Sequence, residues 1–198
     1  MQTSRKSPSI NLSLVALLAT AVVGQKSGMA MIMPDGGSTT NPLNGMSNVM
    51  GTVSFFQENQ NTPISIGVSL QGLSPNTLHG WHVHANKVSN QNCTTAGGHF
   101  NPMNTNHGGP SDDMGSRHFG DLGNLMSDSN GNINVQVTDT LVTLYGKYNV
   151  SGLGLVIHER MDDMGQGTAD ASKVNGNSGA RIACGNIVVM TKKAAPSS

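Results

Sequence analysis

Aromatic side chains are scarce in this chain: one Trp, two Tyr and four Phe among 198 residues. Any core it builds must therefore be mostly aliphatic. Charge is scarce as well, at 11% Asp, Glu, Lys and Arg, with a formal net charge of zero. No Lys/Arg cluster or basic stripe is present, so nothing points to a nucleic-acid partner. Internal repeats and low-complexity tracts are absent, and no stretch beyond the first two dozen residues keeps a helical hydrophobic period. Cysteine is limited to Cys93 and Cys184.

The one long apolar run lies at the start. Arg5 and Lys6 precede Leu12 to Gly24, "LSLVALLATAVVG". That run is short for a membrane span and suits the apolar region of a secretory signal. The reading is a signal peptide over 1–24, with Val22 and Gly24 as the small residues before the cut and Ala30 as a second possible end. A buried helix or an uncleaved anchor is the alternative. Removal of 1–24 leaves 9 basic residues (11 minus Arg5 and Lys6) against 11 acidic ones, a formal charge of −2. The mature protein is then expected outside the cell, with no stable membrane association. In that compartment an even cysteine count favours a disulfide over two unrelated buried thiols. It would close 91 positions of chain, for about 4–5 kcal/mol at most.

What the chain does hold is glycine, 25 residues of it, between short runs of alternating Val, Ile and Leu. "GTVSFFQ", "ISIGVSLQGL", "HGWHVH", "INVQVTD", "LGLVIHE" and "GNIVVM" read as half-buried antiparallel strands. Their spacing predicts an all-β sandwich or barrel. Ahead of them, Met29, Met31 and Met33 alternate in "GMAMIMP", so an extended segment would line one face with thioethers. The expectation is a first strand that buries them as flexible core fillers; a soft site for Cu(I) is the alternative. Residues 25–48 thus read as a strand and a Gly/Pro/Ser-rich loop, 49–190 as the main domain and 191–198 as a flexible tail. Two segments, about 85–123 and 160–180, are too long and too rich in Gly, Asn, Asp and Ser for simple turns, and loops of that length are usually functional.

Three of the seven histidines stand in "HGWHVH", and the remaining four lie in those loops or at a strand end beside them. On a strand His82 and His84 share a face, whereas His79 has the opposite parity and reads as structural. Paired imidazoles suit copper or zinc. His99, His107, His118 and His158 supply four more, and Asp121 follows His118 by three positions. Three His and one Asp make a closed shell of the kind that holds a structural zinc. Two His from "HVH", His158 and one shared His would make a second site suited to copper.

The segments "HGWHVH", "AGGHFNP", "HGGP", "RHFGDLGN", "VIHERMDDMGQG" and "GNSGARIACG" resemble the signature segments of copper/zinc superoxide dismutases, collinearly from about Gly51 to Met190. The resemblance implies a Greek-key antiparallel sandwich, or flattened barrel, of about eight strands with two long functional loops. It implies copper on His82, His84, His99 and His158, and zinc on His99, His107, His118 and Asp121, with His99 as the bridge. Superoxide is then the substrate, disproportionated to dioxygen and hydrogen peroxide, with His99 taking and returning a proton. Arg181 matches the arginine that attracts the anion. Asp162 matches the carboxylate that orients ligands of both metals; a solvated loop residue is the alternative. Cys93 and Cys184 match the family's intrasubunit disulfide. Lys173 is a further candidate for a guiding charge, although the pattern around Asp170 and Ala171 is altered.

Where dimeric relatives use apolar contacts, this chain has Lys87, Ser151 and Asn186, and Asn92 and Asn149 begin glycosylation sequons. Monomer and differently built dimer both stay open. A non-catalytic copper/zinc-binding module, for delivery or storage, is the rival function. A sandwich holding only the closed zinc site is a second rival. Retention of the four expected copper ligands and of Arg181 favours the enzyme.

Overall fold

The computed structural model describes residues 24–36 and 48–190. The expected signal segment up to residue 23, most of the Gly/Pro/Ser-rich loop and the C-terminal tail lie outside the described residues. Eight strands make up the fold: β1 (Lys26–Pro34), β2 (Met50–Gln57), β3 (Ile64–Gln71), β4 (Leu78–Val83), β5 (Asp121–Met126), β6 (Ile133–Asp139), β7 (Gly154–His158) and β8 (Arg181–Met190). They pair in the order β5-β4-β7-β8-β1-β2-β3-β6, every neighbour antiparallel. The connections β3–β4 and β6–β7 jump across this order, which is Greek-key topology in a nearly closed barrel. Among the described residues no helix is long and apolar enough to cross a membrane.

Side-chain alternation explains the strands. In β2 Val53 and Phe55 point inward while Thr52, Ser54 and Phe56 point out, and in β3 Ile64, Ile66, Val68 and Leu70 fill the same interior. Val53 sits opposite Val68 on one side and Ala30 on the other. Ile32, Trp81, Leu144, Leu155, Ile157 and Ile187 complete the core. It is aliphatic apart from a few rings, as the aromatic count requires. Each such side chain contributes about 1.5–3 kcal/mol when fully buried.

Three expectations need correction. The methionines of β1 are not core fillers: Ala30 and Ile32 face the interior, while Met29, Met31 and Met33 face solvent. Small Ala30 and branched Ile32 fit between β2 and β8, and the parity of the strand then sends the thioethers outward. Secondly, β5 lies partly inside the segment read as a loop to residue 123, because its Gly and Asn disguise a short strand. Thirdly, β8 begins at Arg181, four residues ahead of the expected Gly185. Gly185 reads like a turn residue but is a mid-strand close approach, since a Cβ there would collide with the Met31 carbonyl.

The two long loops fold over one end of the barrel. The first holds one turn of 3-10 helix, Cys93–Ala96, and the second one turn of α-helix, α1 (Ser172–Asn175). Cys93 and Cys184 form the disulfide, both buried, which ties the first loop to β8. Arg117 ties it again. Fully buried, it donates to the Asp121 carbonyl at 2.7 Å and pairs with Asp139 at the end of β6, also at 2.7 Å.

Candidate metal centre

Where the loops meet the barrel, six histidines and two aspartates are buried together. The centre begins at the end of β4. Val83 is held from both sides, its N–H donating to Gly120 and its carbonyl accepting from Phe100. His84 forms a β-bridge with His99. His82 therefore stacks on His99, ring centroids 3.9 Å apart. His158 ends β7, where a bulge opposite β8 turns its ring toward the same point. His79, of opposite parity, hydrogen-bonds the His158 carbonyl at 2.9 Å and stays apart from the cluster, as expected.

Hydrogen bonds decide which nitrogen of each ring carries the proton. His82 Nε2 faces Asp162 Oδ2 at 2.8 Å, His84 Nδ1 faces the Gly97 carbonyl at 2.9 Å, and His158 Nδ1 faces the Gly179 carbonyl at 3.3 Å. His99 Nδ1 faces Asp121 Oδ1 at 2.8 Å. These partners can only accept, so the ring nitrogens facing them donate. What remains is a bare lone pair on His82 Nδ1, His84 Nε2, His99 Nε2 and His158 Nε2. All four atoms are buried without a hydrogen-bond partner. One ligand atom from each of these residues lies within 4.8 Å of the others. A buried polar atom left unpaired costs about 1–3 kcal/mol, and a cation accepting four lone pairs removes that cost at every one.

Electrostatics agree. Burial lowers His82 and His84 well below the usual imidazole range, and the neighbouring rings lower them further. Burial, then the charge of His99, takes His158 down to about 3. Burial also lowers His99, against the pull of Asp121. Neutral imidazoles are the form that binds metal.

A second focus surrounds Asp121. Its Oδ1 lies 2.8 Å from His99 Nδ1, 3.0 Å from His107 Nδ1 and 3.1 Å from His118 Nδ1. Its Oδ2 accepts from the backbone N–H of Gly108 and His118. Burial opposes ionisation of this carboxyl, but hydrogen bonds from His107, His118 and His99 outweigh it and hold Asp121 far below the usual carboxylate range. His107 is likewise opposed by burial, yet Asp121 and Asp162 raise it to about 9. Three imidazole Nδ1 atoms converging on one ionised carboxylate oxygen form a donor set for a dication, whose binding would release the protons that hold these nitrogens to Asp121 in the metal-free protein. His82, His99, His107 and Asp121 offer ligand atoms within 4.8 Å of one another; His118 falls outside that group and touches it through Asp121.

Asp162 joins the two foci, with Oδ2 on His82 and Oδ1 on His107 Nε2, both at 2.8 Å. Sequence reasoning found Asp162 but not what holds it. Asn124 on β5 clamps its backbone twice, accepting from the Asp162 N–H and donating to its carbonyl, each at 2.8 Å. Gly176, at φ +64°, leaves room for the bridge, since a Cβ there would strike Asp162 Oδ1 and lie 2.6 Å from His107 Nε2. Arg117, which fixes Asp121 from behind, was also missed. Only a buried arginine inside a loop of low charge could have hinted at it.

Arg181 starts β8 beside the first focus. Its Nη1 donates to the Cys93 carbonyl at 2.7 Å and its Nη2 to the Gly97 carbonyl at 2.6 Å, so the guanidinium is held in place and stays half-buried. Its charge is among the causes that lower His84 and His158. Lys173 is exposed, but its ammonium donates to the Gly165 carbonyl, and its own carbonyl accepts from the His107 N–H.

Residues 49–187 match the family model for copper/zinc superoxide dismutase. The chain belongs to that family. It is 43% identical over 145 residues to a Cu-Zn superoxide dismutase of Candida albicans, covering 73% of this chain and 93% of that protein. A Cu-Zn superoxide dismutase of Cryptococcus neoformans var. grubii is 40% identical over 149 residues, 75% of this chain and 96% of its own length. An extracellular Cu-Zn superoxide dismutase of Caenorhabditis elegans is 42% identical over 139 residues, 70% of this chain and 61% of that protein. As a superoxide dismutase, the chain is an oxidoreductase acting on superoxide with copper and zinc. The buried lone pairs and the carboxylate-centred cluster fit those two metals by donor type.

Proposed function

We propose that this is a secreted superoxide dismutase in which His82, His84, His99 and His158 hold copper, while His99, His107, His118 and Asp121 hold zinc. The observation that carries this division is the direction of the nitrogens. Four orphaned lone pairs gather on one side of His99, and three Nδ1 atoms gather on Asp121 at the other. His99 belongs to both sets and is the bridge. Bound copper supplies the one-electron exchange by which two superoxide anions and two protons become dioxygen and hydrogen peroxide.

The chain's own residues do the rest. Arg181 presents a fixed positive charge next to the copper set, and local potential matters more than net charge for steering a small anion. Held by two carbonyls, it loses little freedom when it binds the substrate. His99 takes a proton at Nε2 and returns it to the reduced substrate, while Asp121 and the zinc set keep its ring oriented. Asp162 keeps His82 and His107 in the required tautomer. Lys173 is the second guiding charge, its ammonium anchored at Gly165.

Secretion is supported by the apolar leader over 1–24, by the disulfide, and by an extracellular relative. We take 49–190 as the catalytic domain. His158→Ala tests the division: activity should vanish while zinc binding and the disulfide persist. Normal turnover in that variant would sink the copper assignment. The parent assayed with copper removed and restored should lose and regain activity, whereas a delivery or storage module would show no copper-dependent turnover.

A further inference from the structure

The outward methionines of β1 have company on the next strand. In the β1–β2 register Met31 lies opposite Thr52 and Ile32 opposite Gly51, and Met33 and Met50 follow next on their strands and line the same groove. Met31 and Met33 are two residues apart on the same outward face of β1. Met31, Met33 and Met50 are 61%, 47% and 42% exposed and line one surface groove. Met29 lies outside it, between Ser54 and Val188. The exposed face of a strand needs no sulfur to fold: Thr52, Ser54 and Ser69 serve that purpose on β2 and β3.

The groove is also selective by what it lacks. Its other polar lining, including Thr52, Gln71 and Asn134, is neutral, and among the described residues it has no histidine, carboxylate, thiol or ammonium. A hard or borderline dication finds no anionic or imidazole donor there. Thioethers select monovalent copper, and three rotatable bonds let methionine side chains on adjacent positions converge. We propose that Met31, Met33 and Met50 form a surface site for Cu(I), separate from the imidazole centre and independent of how that centre divides its ligands.

The test uses the full protein already loaded with copper and zinc, so that the imidazole centre is filled. With methyl-labelled methionine, it is titrated anaerobically with Cu(I) buffered by bicinchoninate. One further Cu(I) should bind, shifting the methyl signals of Met31, Met33 and Met50. Met103, Met114, Met126 and Met161, exposed elsewhere, should stay in place. In the triple variant Met31→Leu, Met33→Leu, Met50→Leu, affinity for that further Cu(I) should fall at least about tenfold. Its melting temperature should hold, because the face is exposed and the swap conserves volume. Absence of the further Cu(I), equal uptake by the variant, or equal shifts at every exposed methionine would overturn the site. Methyl shifts that follow protein concentration instead of Cu(I) would make the groove an interface between copies, and would overturn it too.

Discussion

Stripping the metals and lowering the pH from 7 to 5 should destabilise the fold, and the size of the effect follows from two histidines. His158 falls from an unfolded value of 6.5 to about 3, through burial first and the charge of His99 second. Between those values the unfolded chain binds a proton that the folded chain refuses, so stability drops as pH falls. By linkage the loss from pH 7 to 5 is about 2 kcal/mol. His107 works the other way: burial is outweighed by Asp121 and Asp162, and its value rises to about 9. Its contribution is complete below 6.5 and is lost as pH rises through 9, so the same acidification returns about 0.8 kcal/mol. Asp121, held low, loses its contribution only below the ordinary carboxylate range, outside this window. The two histidines thus leave a net loss of about 1 kcal/mol, and the lowered His82, His84 and His99 add to it. For a domain of this size 1 kcal/mol is roughly 2–4 °C in melting temperature. Thermal unfolding of the metal-free, disulfide-intact protein should therefore show a fall of at least that much at pH 5. The metal-loaded protein should lose more of its own stability over the same interval, because ligated imidazoles, His107 among them, refuse protons that the unfolded chain takes up. A metal-free protein equally stable or more stable at pH 5 would mean that burial does not keep these imidazoles neutral.

Gly176→Ala should push Asp162 off His107, and zinc affinity by chelator competition should weaken about 10–100-fold; unchanged retention would remove Asp162 from the orienting role. Reducing Cys93–Cys184 should lower the melting temperature more without metals than with them, up to about 4–5 kcal/mol in the metal-free form. Equal shifts would mean that the disulfide does not anchor the metal loop. Arg181→Glu should slow superoxide dismutation strongly and Arg181→Lys less, since lysine keeps the charge but loses the two-carbonyl hold. Parental rates for both at low ionic strength would end the guidance role.

Much of the centre could be read in the chain because its logic is local. His82 and His84 share a face through the two-residue period of a strand, and the same parity set His79 aside. Asp121 follows His118 closely enough for a single turn to bring them together. The supports of the centre are not local. Asn124 reaches Asp162 across 38 positions, His107 reaches it across 55, and Arg117 reaches Asp139 across 22. No pattern in a short window carries such pairings.

Strand period, an aliphatic core and the kinds of donor available for metal follow from residue order and composition. Tertiary structure alone decided orientation. An alternating segment defines two faces without saying which is inside. At β1 the choice was made by the fit of Ala30 between Val53 and Ile187, and it turned three methionines into surface. The same holds at the metals: each histidine has two nitrogens, and the bare one was chosen by carbonyls and carboxylates, most of them distant in the chain, at Gly97, Asp121, Asp162 and Gly179.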